Sequence, residues 1–214
     1  MKNFKWLLVA GHGGVKNGKY TSCPNYDPKD KSTWYKMYVH PDGLTVYEGE
    51  FNRIIKNLIM DMCKSENIDV IDIVPEDEDI NLKERVRRGN EYVNKYGPSN
   101  CIWVEIHGNA GKGTGFEIFT TKGQNNSDKV AEIFINEYEK MFPNKVSRVD
   151  KSDGDKDKEA NFYCIKNVNC PAILTENFFF DRYDDAKLMM SEVGQVKIAL
   201  SHFNAIKKIE NFGY

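Results

Sequence analysis

The sequence predicts an α/β fold, a three-layer twisted and mainly parallel sheet with helices on both faces. Two observations carry this reading. Short apolar runs alternate with amphipathic helical stretches along the whole chain, the pattern of a parallel sheet wound with helices. The runs LLVA (7–10), IWVEI (102–106) and AILT (172–175) are also nearly continuous, as strands buried on both faces require.

In chain order, strands are predicted at Lys5–Ala10, Asp69–Val74, Cys101–His107, Gly115–Thr120, Phe162–Ile165 and Ala172–Glu176. The first helix is predicted over Glu48–Ser65, where Phe51, Ile54, Ile55, Leu58, Ile59 and Met62 recur at helical spacing. A second spans Leu82–Lys95, turns Val86 and Tyr92 inward and stops at Gly97-Pro98. A third starts after Ser127, whose hydroxyl suits an N-cap, and carries Val130, Ile133, Phe134 and Tyr138. The last covers Val193–Ile209, with Val196, Ile198, Ala199, Phe203 and Ile206 on one side. Two loops, Val15–Val46 and Asn144–Ala160, are longer than connections need. The second contains KSDGDKDKE and reads equally as a solvated loop.

Composition narrows the function. The 214 residues hold 30 Lys and Arg against 32 Asp and Glu, a net charge of −2. That balance argues against nucleic-acid binding and against a polybasic membrane-surface protein. Apolar residues make up 40% and aromatics 12%, enough for a sizeable core, and the length suits one domain over 1–214. No run approaches the ~20 apolar residues of a membrane span. The apolar run Trp6–Ala10 is shorter than the ~7–15 residues of a secretory leader. Five cysteines (Cys23, Cys63, Cys101, Cys164, Cys170) show no CxxC spacing and read as packing residues in a reducing compartment.

Several motifs carry chemistry. Gly13–Lys19 has the spacing GxxxxGK of a phosphate-binding loop, but Tyr20 stands where Ser or Thr is needed, and Pro24 and Pro28 forbid the helix that should follow. His12, in GHGG, and His107, in WVEIHGNAGKG, both end buried strands, where open α/β sheets bind ligands. Gly11, Gly13 and Gly14 remove bulk around the first imidazole. Trp103, Glu105 and His107 share one strand face. His40 reads as a loop residue and His202 as a surface or partly buried helix residue. Asp42, Glu48 and Glu50 cluster at the first helix start, where acids complement the dipole and either glutamate has the chemistry of a metal ligand. Glu176, in PAILTENFFFD, is a carboxylate set against phenylalanines, and desolvation there suits a general base. Two histidines and a glutamate make a known three-ligand catalytic zinc set with an open fourth position.

These segments together resemble the zinc-dependent N-acetylmuramoyl-L-alanine amidases of family 3, in their phage-type and gut-bacterial versions. VAGHGG, YEGEFNR, LKERVRRGN, VEIHGNA, GTGFEIFT and PAILTENFFFD follow in the family's order across nearly the whole chain. The resemblance implies a phosphorylase/hydrolase-like sheet and a single catalytic domain without a separate wall-binding domain. It implies one Zn2+ per chain on His12, a YEGEFN glutamate and His107, with Glu176 as catalytic base. The family's glutamate precedes the helix asparagine by four residues, so Asn52 points to Glu48, with Glu50 the competing choice. The implied substrate is peptidoglycan, cut between the lactyl group of N-acetylmuramic acid and L-alanine. Neither nucleic acid nor membrane insertion is implied, and the oligomeric state stays open. The implied route is synthesis in the cytoplasm and action on the wall, or secretion with a leader removed. The alternatives are a zinc exopeptidase or aminoacylase and an inactive wall-binding module.

Overall fold

The structure, a computed structural model, describes residues 2–214. Its elements in chain order are β1 (Lys5–Ala10), the hairpin β2 (Val15–Lys16) and β3 (Lys19–Tyr20), the hairpin β4 (Met37–Val39) and β5 (Thr45–Tyr47), and α1 (Glu48–Ser65). Then come β6 (Val70–Asp72), α2 (Leu82–Tyr96), β7 (Cys101–Asn109), β8 (Phe116–Thr120), α3 (Asn126–Met141) and β9 (Lys158–Glu159). The chain closes with α4 (Tyr163–Asn167), β10 (Ala172–Phe179), α5 (Tyr183–Met190) and α6 (Glu192–Phe212).

Six strands form one sheet in the order β6-β1-β7-β10-β8-β9. The pairs β1–β6, β1–β7 and β7–β10 are parallel, β10–β8 is antiparallel and β8–β9 is parallel. Alternation along the strands divides the core in two. Trp6, Leu8, Ile102, Val104, Ile106 and Ile173 pack on the buried stripes of α1, α3 and α6. Leu7, Val9, Cys101, Trp103, Ala172 and Leu174 face α2 and α4 on the other side. Helices therefore cover both faces, as the continuous apolar strands demand.

Four expectations are corrected. Phe162–Ile165 is not a strand: Tyr163–Asn167 forms α4, whose Cys164 and Ile165 are buried against the sheet. A four-residue apolar run fits either element, and β9, drawn from the polar loop, supplies the sixth strand instead. The N-cap of α3 is Asn125, which forms a capping box with Asp128, while Ser127 lies inside the helix. His202 is fully buried: one ring nitrogen meets Thr175 Oγ1 at 3.1 Å and the other the Ile198 carbonyl at 2.9 Å. Asp42 leaves the acidic cluster and accepts a hydrogen bond from the Tyr183 hydroxyl. The segment with phosphate-loop spacing is the β2–β3 hairpin. Among the described residues no helix is long and apolar enough to cross a membrane.

Candidate metal centre

The parallel pairing of β1 with β7 sets Ala10 beside Ile106, so the residues just beyond, His12 and His107, emerge at the same sheet edge. Gly11 makes this possible. A Cβ there would stand 2.1 Å from His107 Cε1, inside the imidazole. His12 itself takes a left-handed backbone (φ 60°), a conformation that surrounding structure must impose on a residue with a side chain. Two buried arginines impose it. Arg53 donates to the His12 carbonyl at 2.8 Å and Arg85 at 3.4 Å, and Arg85 also donates to the Ala10 carbonyl at 3.0 Å.

The third residue comes from α1. Glu48 opens this helix and is 1% exposed. Asn52 lies one turn on, on the same helix face, and donates to the Gly11 carbonyl at 3.0 Å. Gly49 allows the close approach, since a Cβ there would lie 1.9 Å from the Gly13 carbonyl oxygen. Glu48 Oε1 ends 2.9 Å from His107 Nδ1 and 3.2 Å from His12 Nε2. Glu50 points elsewhere and accepts from the Val15 amide at 3.0 Å.

One ligand atom from each of His12, Glu48 and His107 thus falls within a 4.8 Å cluster, a group able to hold a metal ion. The chemistry of the set fits. Two imidazoles, which are borderline donors, with one harder carboxylate make a set that suits zinc or a transition-row cation. Within the cluster, His12 Nε2 and Glu48 Oε2 are buried without a hydrogen-bond partner, although Lys36 Nζ stands 3.6 Å from Glu48 Oε2.

A carboxylate stands on the outward side of each imidazole. His107 Nε2 lies 3.5 Å from Glu105 Oε1, and His12 Nδ1 lies 4.0 Å from Asp79 Oδ2. Arg85 reaches both acids, at 3.8 Å from Glu105 and 3.1 Å from Asp79. A carboxylate behind a ring nitrogen fixes the tautomer and leaves the opposite nitrogen free to coordinate. Sequence reasoning placed Glu105 on the His107 face but gave it no role, and it missed Arg85 and Asp79. The available signal was a lone glutamate inside the apolar run IWVEI, two residues before a histidine.

Glu176 stands directly beside His107 in the β7–β10 register. Paired residues of adjacent strands project to the same face, so its carboxylate enters the same space. Its Oε2 is buried and unpaired. Asn177 secures the register by donating to the His107 carbonyl at 3.0 Å. Two cavities meet here. One, of about 190 Å³, runs past His12, Glu105, Leu174 and Phe162; the other, of about 360 Å³, runs past Trp34, Tyr38 and Asn109. Lys36 and Glu176 line both.

The charges are strongly perturbed. Burial lowers the pKa of His12. Burial also acts downward on His107, but Glu105 and Glu48 outweigh it and push the group up to about 10. Burial opposes ionisation of Glu48, yet the two imidazoles hold its carboxyl well below the usual range. For Glu176, burial leads, partly offset by His107, and its carboxyl is pushed up to about 8. Two carboxylates of one edge therefore have opposed tendencies, the condition under which one holds charge and the other moves a proton.

Two histidines and a glutamate able to hold a metal ion, gathered at the C-terminal edge of a mainly parallel sheet, place the protein in the layered α/β class. Within that class, the chain belongs to the N-acetylmuramoyl-L-alanine amidase family, whose profile matches residues 7–208. The amidase CwlM of Bacillus licheniformis is 29% identical over 157 residues, 73% of this chain and 56% of its own length. The sporulation-specific N-acetylmuramoyl-L-alanine amidase of Bacillus subtilis (strain 168) is 28% identical over 137 residues, 63% of this chain and 48% of its own. The chain thus spans about half the length of these curated relatives. The crystal structure of the N-acetylmuramoyl-L-alanine amidase from Clostridium difficile 630 has the same fold, with a TM-score of 0.73, 20% identity and 100% coverage of both chains.

Proposed function

We propose that this protein is a zinc-dependent hydrolase that cuts the amide between the lactyl group of N-acetylmuramic acid and the L-alanine of peptidoglycan stem peptides. The observation that carries this reading is the convergence of His12, Glu48 and His107 within 4.8 Å. Glu176 adds to it, a neighbour of His107 in the sheet register.

His12, Glu48 and His107 would hold the zinc, which when bound would supply Lewis acidity toward the scissile carbonyl and the attacking water. Glu176 accepts the proton of the attacking water at its unpaired Oε2 and delivers it to the leaving amine of L-alanine. Lys36, where the two cavities join, adds positive charge to the face on which the oxyanion develops. Glu105 positions the His107 imidazole, and Arg85 reaches both Glu105 and Asp79. The two cavities give a groove that continues past the reacting atoms on either side, which suits a polymer better than a closed pocket does. The enzyme acts where the wall is, outside the cytoplasm that makes it.

Digestion of purified sacculi tests the reading. The zinc-loaded protein should reduce turbidity, a chelator should abolish this and added zinc should restore it. Mass spectrometry should find free stem peptides beginning with L-alanine and glycan carrying an intact lactyl carboxyl group. Products that keep the muramyl-alanine bond and break elsewhere would overturn the assignment.

A further inference from the structure

The polar loop before β9 contains a second group of carboxylates, far in sequence from the first. Asp128 from the first turn of α3, with Asp155 and Asp157 from the loop, bring one oxygen each within 4.8 Å of one another. Surface acids often gather without consequence, but Asp157 is not on the surface. It is 3% exposed, its Oδ2 accepts from Thr120 Oγ1 at 2.6 Å, and its Oδ1 is buried with no hydrogen-bond partner. Asp155 Oδ1 is likewise buried and unpaired. The lysines that flank these aspartates turn away, Lys156 to Glu139 and Lys158 to Glu117. Lys129 donates to Asn126. A buried ionised carboxylate without a counter-charge is costly, and three together repel.

We propose that Asp128, Asp155 and Asp157 bind a calcium ion that ties the 144–160 loop to the start of α3. The donors are all hard oxygens, which selects calcium or magnesium over zinc. Calcium fits better because the donors come from two separate segments and Asp157 keeps a second bond to Thr120, an irregular set that calcium's flexible shell tolerates and magnesium's strict octahedron does not. The competing arrangement is a proton shared between Asp155 and Asp157, consistent with burial and the Asp157 charge pushing Asp155 up to about 7. The two differ in their response to calcium.

The test uses the whole zinc-loaded protein in buffer freed of calcium by ion-exchange resin, so that zinc is retained. Equilibrium dialysis against 45CaCl2 should show one saturable calcium per chain. At ~100 times Kd, CaCl2 should raise Tm by about 5–10 °C. Equal MgCl2 should do much less. Asp157→Asn and Asp155→Asn should each lose at least tenfold in calcium affinity and keep their zinc content and sacculus hydrolysis. Should Asp157→Asn fail to fold, Asp155→Asn, at a partly exposed position, carries the comparison. No saturable calcium in the wild type, unchanged affinity in Asp155→Asn, or an equal response to magnesium would overturn the proposal.

Discussion

At the scale of single residues, the site depends on two side chains that do different work with the same functional group. The histidines it touches favour the charged form of Glu48, whereas burial raises the proton affinity of Glu176. Glu176→Gln preserves shape and removes the proton acceptor of the proposed reaction. It should retain one zinc per chain by metal analysis and lose about 10²–10⁴ in sacculus hydrolysis, the usual worth of a positioned acid-base group. His202 gives a second residue-level expectation. Burial lowers its pKa from 6.5 to about 4, so between those values the unfolded chain binds a proton that the native protein refuses. Its contribution to stability is whole above about pH 6.5 and is lost as pH falls, at about 1.4 kcal/mol per unit down to about pH 4. Urea midpoints should show this slope in the wild type and a flatter one in His202→Gln. His12, His107, Glu48 and Glu176 were legible in the sequence because each follows or opens an apolar or amphipathic run and has small or apolar neighbours. Arg85, Asp79 and the role of Glu105 were not, because they meet the histidines only through space and look in sequence like ordinary charged residues.

Among the elements, α1 was legible to the residue. Its apolar spacing and the acids of its first turn both mark Glu48 as the start, and Ser65 ends it. The hairpins β2–β3 and β4–β5 and the helix α5 were not read, since two- and three-residue strands carry no period and α5 opens on polar residues. The helix α2 also serves the site, because it carries Arg85 on its buried face. Its N-cap is Asn81, whose side chain accepts from the Glu84 amide at 2.9 Å. Asn81→Ala should therefore cost about 1 kcal/mol. Equilibrium urea denaturation should register this as a lower midpoint at unchanged slope.

For the whole molecule, the centre is assembled from β1, α1 and β7, elements spread over the first half of the chain. An ion held by all three binds only the folded state and so stabilises it by mass action. Stripping zinc should lower Tm by several degrees, since each ~1 kcal/mol is worth ~2–4 °C at this size. Readdition should restore it, and a His12→Ala protein should show neither response. Calorimetric scans of loaded, stripped and reloaded protein check this. The layered architecture was legible because LLVA, IWVEI and AILT are apolar on both sides. The sheet's far end was not, because its last strand is a two-residue piece of charged loop.

That brevity matters beyond the fold. The sheet ends in β9, with two residues, on one side and β6, with three, on the other. Few free amides and carbonyls line either rim, and the terminal rung on the β9 side is Lys158-Glu159. A second chain in crowded surroundings finds no long flat ladder on which to template itself. The interior strands, apolar enough to form fibrils if bared, are shielded by neighbours that themselves make poor seeds.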